Sequence, residues 1–253
     1  MEVLVAGAYG SRRSGMNLST FVIDENIVVD CGALFSGNVN LKKVKAIFIT
    51  HCHADHIKDL PFFIDVFPFE NSREEPLLVY GNREIIQVLE DNIFNGKVWP
   101  ELFRFRLKNG KPAVVIRKVE PMCEFSLGDY RIIPVPVNHT VKTTGFAIFL
   151  GNKGVFISGD TYRCKAMWEF LNSKKEIKAF FVDVSYPSIK KELSSIALHY
   201  NSDDLFRDMN QLSLPRDIRV FAYHLKYPFV DVIKEELAEK GISALSDGER
   251  IRI

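Results

Sequence analysis

Three histidines and an aspartate stand within six residues of one another in the segment His51-Cys52-His53-Ala54-Asp55-His56. The apolar run from Ala46 to Ile49 precedes this segment and is predicted to be a β-strand. Because side chains alternate along an extended chain, His51 and His53 point the same way and can bind one cation. Asp55 and His56 fall where the loop turns into a helix, so they can face a second cation.

Three further candidate ligands, His139, Asp160 and His224, each stand just past the end of a predicted strand. Functional side chains commonly gather in loops at strand ends, where rigid elements hold them. The first metal ion is therefore expected to bind His51, His53 and His139. The second is expected to bind Asp55, His56 and His224, with Asp160 bridging the two ions.

Nitrogen and oxygen ligands without a thiolate suit zinc, and manganese and iron are also compatible with imidazole and carboxylate ligands. Two such ions can lower the pKa of a shared water toward roughly 7, which provides hydroxide as a nucleophile at neutral pH. We therefore expect two divalent metal ions per chain and hydrolytic chemistry. Alternation along the strand turns Cys52 to the opposite face, so we assign this thiol to packing.

The overall composition sets the class of protein. The chain has 253 residues, a formal net charge of +1 and four cysteines without a CxxC pair. This length can bury one sizeable core, and we expect a single domain over residues 1–253. The near-neutral charge argues against a long polyanionic partner. Neither a signal peptide nor a membrane-spanning run is evident, so we expect a cytoplasmic protein with no membrane partner.

The order of predicted elements indicates the architecture. Short β-rich runs dominate the start of the chain, and strands then alternate with helices, for example the helices at 57–66, 83–92, 165–171, 203–209 and 230–239. The second half repeats the rhythm of the first. This order predicts an α/β protein in which two mixed β-sheets pack face to face and helices cover the outside.

The ligand pattern resembles that of the metallo-β-lactamase superfamily, in which HxHxDH is followed by His, Asp and His. This resemblance implies an αββα sandwich with the metal ions at one edge. Finer motifs are similar to those of the class II 3′,5′-cyclic-nucleotide phosphodiesterases, and the tRNA 3′-end-processing endonucleases (tRNase Z) are their sister group. The segments that carry this similarity are Asn17-Leu18-Ser19-Thr20-Phe21, Val29-Asp30-Cys31-Gly32-Ala33-Leu34-Phe35-Ser36-Gly37 and Ile93-Phe94-Asn95-Gly96-Lys97-Val98-Trp99-Pro100.

The resemblance to the endonucleases implies roles for His199 and Asp183. A phosphodiester that expels an alkoxide needs a proton, and an imidazole oriented by a carboxylate can supply it. We expect His199 to be the general acid and Asp183 to orient it, and the catalytic set is Asp55, His199 and Asp183. The alternative is that His199 only fills a gap or caps the helix that begins near Ser202.

Three functions are compatible with these residues. The leading hypothesis is a metal-dependent phosphodiesterase that cleaves a small phosphodiester such as a 3′,5′-cyclic nucleotide. The first alternative is a tRNA-processing or other RNA endonuclease, although the sequence lacks an evident Gly-Pro-rich basic arm for gripping RNA. The second alternative is a lactone, ester or thioester hydrolase. The expected partner is a small phosphodiester, nucleic acid is not favoured, and a homodimer is left open.

Overall fold

The structure is a computed structural model that describes residues 1–36, 38–69, 74–101, 104–211 and 218–253. Within these ranges the strands form two seven-stranded sheets. The strands of the first sheet, in chain order, are β1 (Glu2–Gly7), β2 (Thr20–Ile23), β3 (Ile27–Val29), β4 (Ala46–Phe48), β5 (Leu77–Gly81), β6 (Val114–Lys118) and β14 (Arg250–Arg252). Those of the second are β7 (Phe125–Leu127), β8 (Tyr130–Val137), β9 (Thr143–Leu150), β10 (Lys153–Ile157), β11 (Ile177–Asp183), β12 (Arg219–Tyr223) and β13 (Ser243–Ala244).

The helices cover the outer faces of these sheets. In chain order they are α1 (Ala54–Ile57), α2 (Leu60–Val66), α3 (Arg83–Val88), α4 (Lys165–Ser173), α5 (Lys191–Ala197), α6 (Ser202–Gln211) and α7 (Val230–Glu239). The predicted sandwich of two mixed sheets flanked by helices is confirmed. Among the described residues, no helix has both the length and the apolar character that crossing a membrane requires.

Two of the predicted helices are interrupted in the structure, and the other three match within two residues at each end. The predicted helix over 57–66 is split, because α1 ends at Ile57 and α2 begins at Leu60. Pro61 sits in the first turn of α2, where its missing N–H is tolerated, but it cannot continue a helix from α1. Helix α3 ends at Val88, and a π-helical turn over Leu89–Ile93 replaces its predicted last turn.

The main core lies between the two sheets. Alternate residues of β1 divide between two clusters, so that Val3 and Val5 join the core between the sheets while Leu4 joins the cluster beneath α1 to α3. Aromatic rings also meet across the sheets, as in the edge-to-face pair of Phe21 and Phe181 with centroids 5.3 Å apart. Burial on both faces explains why these strands read as continuous apolar runs.

Parallel pairing brings the strand ends of each sheet to a common edge. In the first sheet β3, β4 and β5 run parallel, and in the second β10, β11 and β12 run parallel. The carboxyl ends of neighbouring parallel strands therefore open on the same side of their sheet. The loops that follow these strands carry most of the side chains described below.

Candidate metal centre and proton-donor site

Most of the residues that the sequence selects lie at or just past the end of a strand. The HxHxDH segment follows β4 of the first sheet, whereas His139, Asp160 and His224 follow β8, β10 and β12 of the second. Asp183 is the last residue of β11, and His199 lies between α5 and α6. The structure brings all of these side chains together at one edge of the sandwich, including all six histidines of the chain.

The first cluster contains His51, His53, His139 and Asp160, and one potential ligand atom of each lies within 4.8 Å of the others. His139 Nε2 is 3.3 Å from His53 Nδ1. The Oδ2 atom of Asp160 is 3.5 Å from His51 Nε2 and 3.8 Å from His139 Nε2. These four residues have the membership that the sequence predicts for the first ion.

The second cluster contains Asp55, His56, His224 and Asp160. His224 Nε2 lies 3.3 Å from His56 Nε2 and 3.1 Å from Asp55 Oδ2. The other carboxylate oxygen of Asp160, Oδ1, faces this cluster at 3.2 Å from His56 Nε2 and 3.4 Å from His224 Nε2. Asp160 is 1% exposed and presents one oxygen to each cluster, so both clusters could share it.

Hydrogen bonds on the outer side of the rings fix the orientation of three histidines. Their Nδ1 atoms lie within hydrogen-bonding distance of oxygens outside the clusters, in the pairs His56 with Asp30 Oδ2 at 2.7 Å, His139 with the Leu198 carbonyl at 3.0 Å and His224 with Ser185 Oγ at 2.8 Å. Such bonds set the tautomer and point Nε2 inward. The arrangement thus turns these Nε2 atoms toward the clusters.

The distances between the histidine nitrogens that face each cluster fit the coordination of a divalent cation. Each cluster contains a pair of imidazole nitrogens 3.3 Å apart. A tetrahedral ion with bonds of about 2.0–2.1 Å to nitrogen holds its ligand atoms about 3.3 Å from one another. The buried His51 Nε2 has no hydrogen-bond partner in the part of the chain that the structure describes. A cation in each cluster would satisfy these converging lone pairs, so the donor set fits divalent metal ions.

The charge balance of the centre divides the histidines into two groups. Burial lowers the pKa of His51, His53 and His139 below the ordinary value, so these rings are neutral and ready to bind a cation. Burial also opposes charge on His56 and His224, but the surrounding carboxylates together outweigh it: Asp160 and Asp30 raise the pKa of His56, and Asp160, Asp183 and Asp55 raise that of His224 to about 9. A metal ion must therefore displace protons from the second group.

A third cluster adjoins the second and contains Asp160, Asp183, His199 and His224. His199 Nδ1 is 2.7 Å from Asp183 Oδ2, and the His199 ring stacks on the His224 ring with centroids 5.2 Å apart. Burial raises the pKa of Asp183, but the facing His199 and further hydrogen bonds outweigh it and lower that pKa to about 2. The Asp183 carboxylate thus holds the His199 ring by Nδ1, and the Nε2 atom of that ring points away from Asp183.

Four other residues contribute to this edge and were not selected from the sequence. Asp30 and Ser185 hold histidine rings, and Lys226 places its Nζ atom 3.1 Å from His199 Nε2. Gly10 makes room for the His224 ring, since a Cβ atom at this position would lie 2.4 Å from that ring. Asp30 could have been found, because it follows β3 just as the HxHxDH segment follows β4.

The Asp30 carboxylate makes a specific prediction possible. It accepts hydrogen bonds from the Thr50 amide and hydroxyl in addition to its contact with His56. Asp30→Asn turns an N–H group toward His56 Nδ1 and disfavours the tautomer that points a lone pair at the cluster. We expect the metal affinity to fall about 10- to 100-fold, measured by competition with a chelating indicator.

Asp24→Asn is the matched control for this experiment. Asp24 is also an aspartate with a positive φ, at 45° compared with 60° for Asp30, and it accepts hydrogen bonds from Glu2 and Tyr130 far from the clusters. Its substitution should leave metal affinity unchanged. Equal affinities of the Asp30→Asn and wild-type proteins would contradict the positioning role of Asp30.

Fold and clusters together place the chain in the class of metal-dependent hydrolases with the metallo-β-lactamase fold. The solved structures that resemble it include unliganded yeast PDE1 (TM-score 0.80, 17% identity, 100% and 99% of the two chains) and YhfI from Bacillus subtilis (TM-score 0.77, 18% identity, 99% of each chain). The family described as Anti-Pycsar protein Apyc1 matches residues 6–227. The chain belongs to this family.

Sequence comparison also finds curated relatives that match part of the chain. A ribonuclease Z from Ignicoccus hospitalis is 26% identical over 133 residues, which are 50% of this chain and 40% of the relative. A 3′,5′-cyclic-nucleotide phosphodiesterase from Schizosaccharomyces pombe is 32% identical over 99 residues, which are 39% of this chain and 26% of the relative. The chain thus matches less than half the length of these relatives.

Proposed function

We propose that the protein is a dinuclear-metal phosphodiesterase that hydrolyses 3′,5′-cyclic nucleotides. The observation that carries this proposal is the third cluster, in which Asp183 orients His199 directly beside the residues that would hold the metal ions. Hydrolysis of a phosphodiester requires both a centre that stabilises charge on phosphorus and a donor for the leaving oxygen. The name of the S. pombe relative supports the choice of a cyclic nucleotide.

In this proposal the first two clusters bind the metal ions and the third supplies the proton. Divalent cations, when bound, supply Lewis acidity and lower the pKa of water so that hydroxide is available at neutral pH. His51, His53 and His139 would hold the first ion, and the second would be held by Asp55, His56 and His224, with Asp160 shared. These side chains are the proposed metal ligands, and Asp55, at the most exposed position of its cluster, also belongs to the proposed catalytic set.

The proton of the leaving group comes from His199 in this mechanism. Its protonated ring donates the Nε2 proton to the ribose oxygen as the bond from that oxygen to phosphorus breaks. The Asp183 carboxylate, 2.7 Å from Nδ1, stabilises the charged ring and keeps it from turning. The Lys226 ammonium, 3.1 Å from Nε2, can donate a hydrogen bond only to the unprotonated ring, so it turns to the anionic phosphate when the ring carries its proton.

A second candidate function is an RNA endonuclease, which the same groups would serve. The names of several relatives, each a ribonuclease Z, favour this candidate. Its binding of RNA would depend on phosphate contacts, yet the net charge of the chain is only +1 and the sequence has no Gly-Pro-rich basic insertion. A lactone or thioester hydrolase is less well supported, because the His199 and Asp183 pair would then lack its phosphodiester task.

The substrate is tested with protein of known metal content on a panel of compounds. The panel contains the 3′,5′-cyclic and 2′,3′-cyclic nucleotides, a tRNA precursor and a set of lactones. The proposal expects turnover of 3′,5′-cyclic nucleotides and none of the tRNA precursor or the lactones. Cleavage of the tRNA precursor at its 3′ end, with cyclic nucleotides untouched, would retain the metal centre and reject the proposed substrate.

A further inference from the structure

A cleft of about 480 Å³ opens beside the first cluster. One wall is α3, with the exposed Glu84 and Val88 and the buried Ile85, and the other is the turn that joins β8 to β9, with Val141 and Lys142. Pockets for small ligands and cofactors have volumes of about 300–1,000 Å³, so this cleft is large enough for a nucleoside.

The cleft is continuous with the candidate metal centre. His53, a half-buried member of the first cluster, lines the cleft. Thr140 lines it as well, and its hydroxyl oxygen is 3.4 Å from Nε2 of His139. His139 in turn packs against the His199 ring, with centroids 4.9 Å apart. A phosphodiester bound at the clusters can therefore extend its remaining part into the cleft.

Hydrogen bonds of one side chain, Asn82, link the two walls of the cleft. The side chain of Asn82 caps α3 by accepting a hydrogen bond from the Ile85 amide at 3.0 Å. The same side chain donates to Thr144 Oγ1, at the start of β9, at 3.0 Å. Asn82 is buried, so this link is shielded from water. Asn82 thus links the two walls before any ligand binds.

The lining combines apolar surface with two free charges. Val88 and Val141 expose 38% and 41% of their surfaces, which suits contact with a flat ring. Glu84 and Lys142 are exposed, and neither has an ion-pair or hydrogen-bond partner among the residues that the structure describes. A carboxylate accepts hydrogen bonds from exocyclic amino groups, and an ammonium donates to ring carbonyls. These are the groups that distinguish the nucleobases.

We propose that this cleft is the base-binding subsite of the enzyme, in which Val88 and Val141 pack against the nucleobase while Glu84 and Lys142 bond to its edge. The inference rests on the proposed function and adds a location for the part of the substrate that does not react. Apolar walls hold any base, whereas the two charges distinguish one base from another.

Filling the cleft tests this subsite. Val141→Trp should raise the KM for 3′,5′-cyclic nucleotides about tenfold or more and leave hydrolysis of methyl p-nitrophenyl phosphate, which has no base, unchanged. Val232→Trp is the matched control, since Val232 on α7 is 46% exposed and lies outside the cleft. Wild-type KM values for the Val141→Trp protein, or equal losses on both kinds of substrate, would overturn the proposal.

The charged residues give a second test that does not depend on a bulky substitution. Glu84→Gln should lower kcat/KM for adenine, cytosine and guanine nucleotides about 3- to 10-fold relative to the uracil nucleotide, which has no amino group. Lys142→Gln should lower it by a similar factor for the carbonyl-bearing bases relative to adenine. Unchanged ratios in both variants would exclude base recognition by these residues.

Binding measurements separate this inference from the proposed reaction. Calorimetry with AMP, GMP, CMP and UMP on the metal-loaded protein needs no turnover. If the wild type binds these nucleotides and Val141→Trp does not, the subsite is supported even where no cyclic nucleotide is hydrolysed, an outcome that rejects only the proposed substrate. If the wild type hydrolyses cyclic nucleotides and Val141→Trp binds the four monophosphates equally well, the subsite is rejected and the activity stands.

Discussion

Asp160→Asn protein is expected to lose at least one metal ion per chain and to retain no more than about one thousandth of the wild-type phosphodiesterase activity. Asp160 is buried and offers Oδ2 to the first cluster and Oδ1 to the second. The amide has one oxygen and no charge, so it can serve only one of the two positions. A thousandfold loss corresponds to ~4 kcal/mol of transition-state stabilisation, within the several kcal/mol that metal catalysis supplies.

The measurement combines elemental analysis of the purified variant with steady-state kinetics. Asp208→Asn is the matched control, because Asp208 is also buried and bonds to the Tyr200 hydroxyl at 2.7 Å but belongs to none of the three clusters. The control should bind a full complement of metal. Two ions per chain and normal turnover in the Asp160→Asn protein would refute the bridging role.

The second large effect is expected for His199→Ala and depends on the substrate. Hydrolysis of a 3′,5′-cyclic nucleotide should slow about 10²- to 10⁴-fold, because its ribose oxygen leaves as an alkoxide that needs a proton. Hydrolysis of bis(p-nitrophenyl) phosphate should change by no more than about threefold, since p-nitrophenolate leaves without a proton. Comparison of kcat for both substrates on one enzyme preparation measures this difference.

Metal content is the internal control for His199→Ala. His199 belongs to neither of the two clusters proposed to hold the ions, so the variant should keep both ions. Equal losses on the two substrates, with metal retained, would show that His199 does not act as a general acid. Loss of metal would instead place His199 among the residues that hold the ions.

Much of the centre follows from local sequence rules. The alternation of side chains predicts that His51 and His53 face one point, and their rings lie 4.6 Å apart by centroid. The rule that functional residues often follow strands selects His139, Asp160 and His224, and the structure places them beside that segment. The expected sandwich also follows, because the order of strand and helix signals along the chain predicts two sheets packed face to face with helices outside.

The remaining features depend on contacts between distant parts of the chain. The order of the strands within each sheet decides that Asp30 and Ser185 reach the outer nitrogens of His56 and His224, and sequence spacing does not reveal that order. The contact of Lys226 with His199 is of the same kind, since it joins residues from two separate loops. The left-handed backbone of His224, with φ of 67°, also depends on its surroundings.

The cleft was not predicted from the sequence for a related reason. One wall comes from α3, which follows β5 of the first sheet. The other comes from the turn between β8 and β9 of the second sheet. Val88 and Val141 are ordinary surface valines when each is viewed alone in the sequence. Their position beside His53 gives them a proposed function, and only the packing of one sheet on the other creates that position.

The most direct test of the central claim is a metal titration of the metal-free protein, with hydrolysis of a 3′,5′-cyclic nucleotide measured at each step. Protein stripped by a chelator is supplied with zinc or manganese in defined equivalents, and turnover is followed with the metal bound per chain. The dinuclear centre predicts no activity at zero equivalents and a plateau when two ions are bound. Full turnover by metal-free protein, or no turnover of any cyclic nucleotide with two ions bound, would contradict the claim.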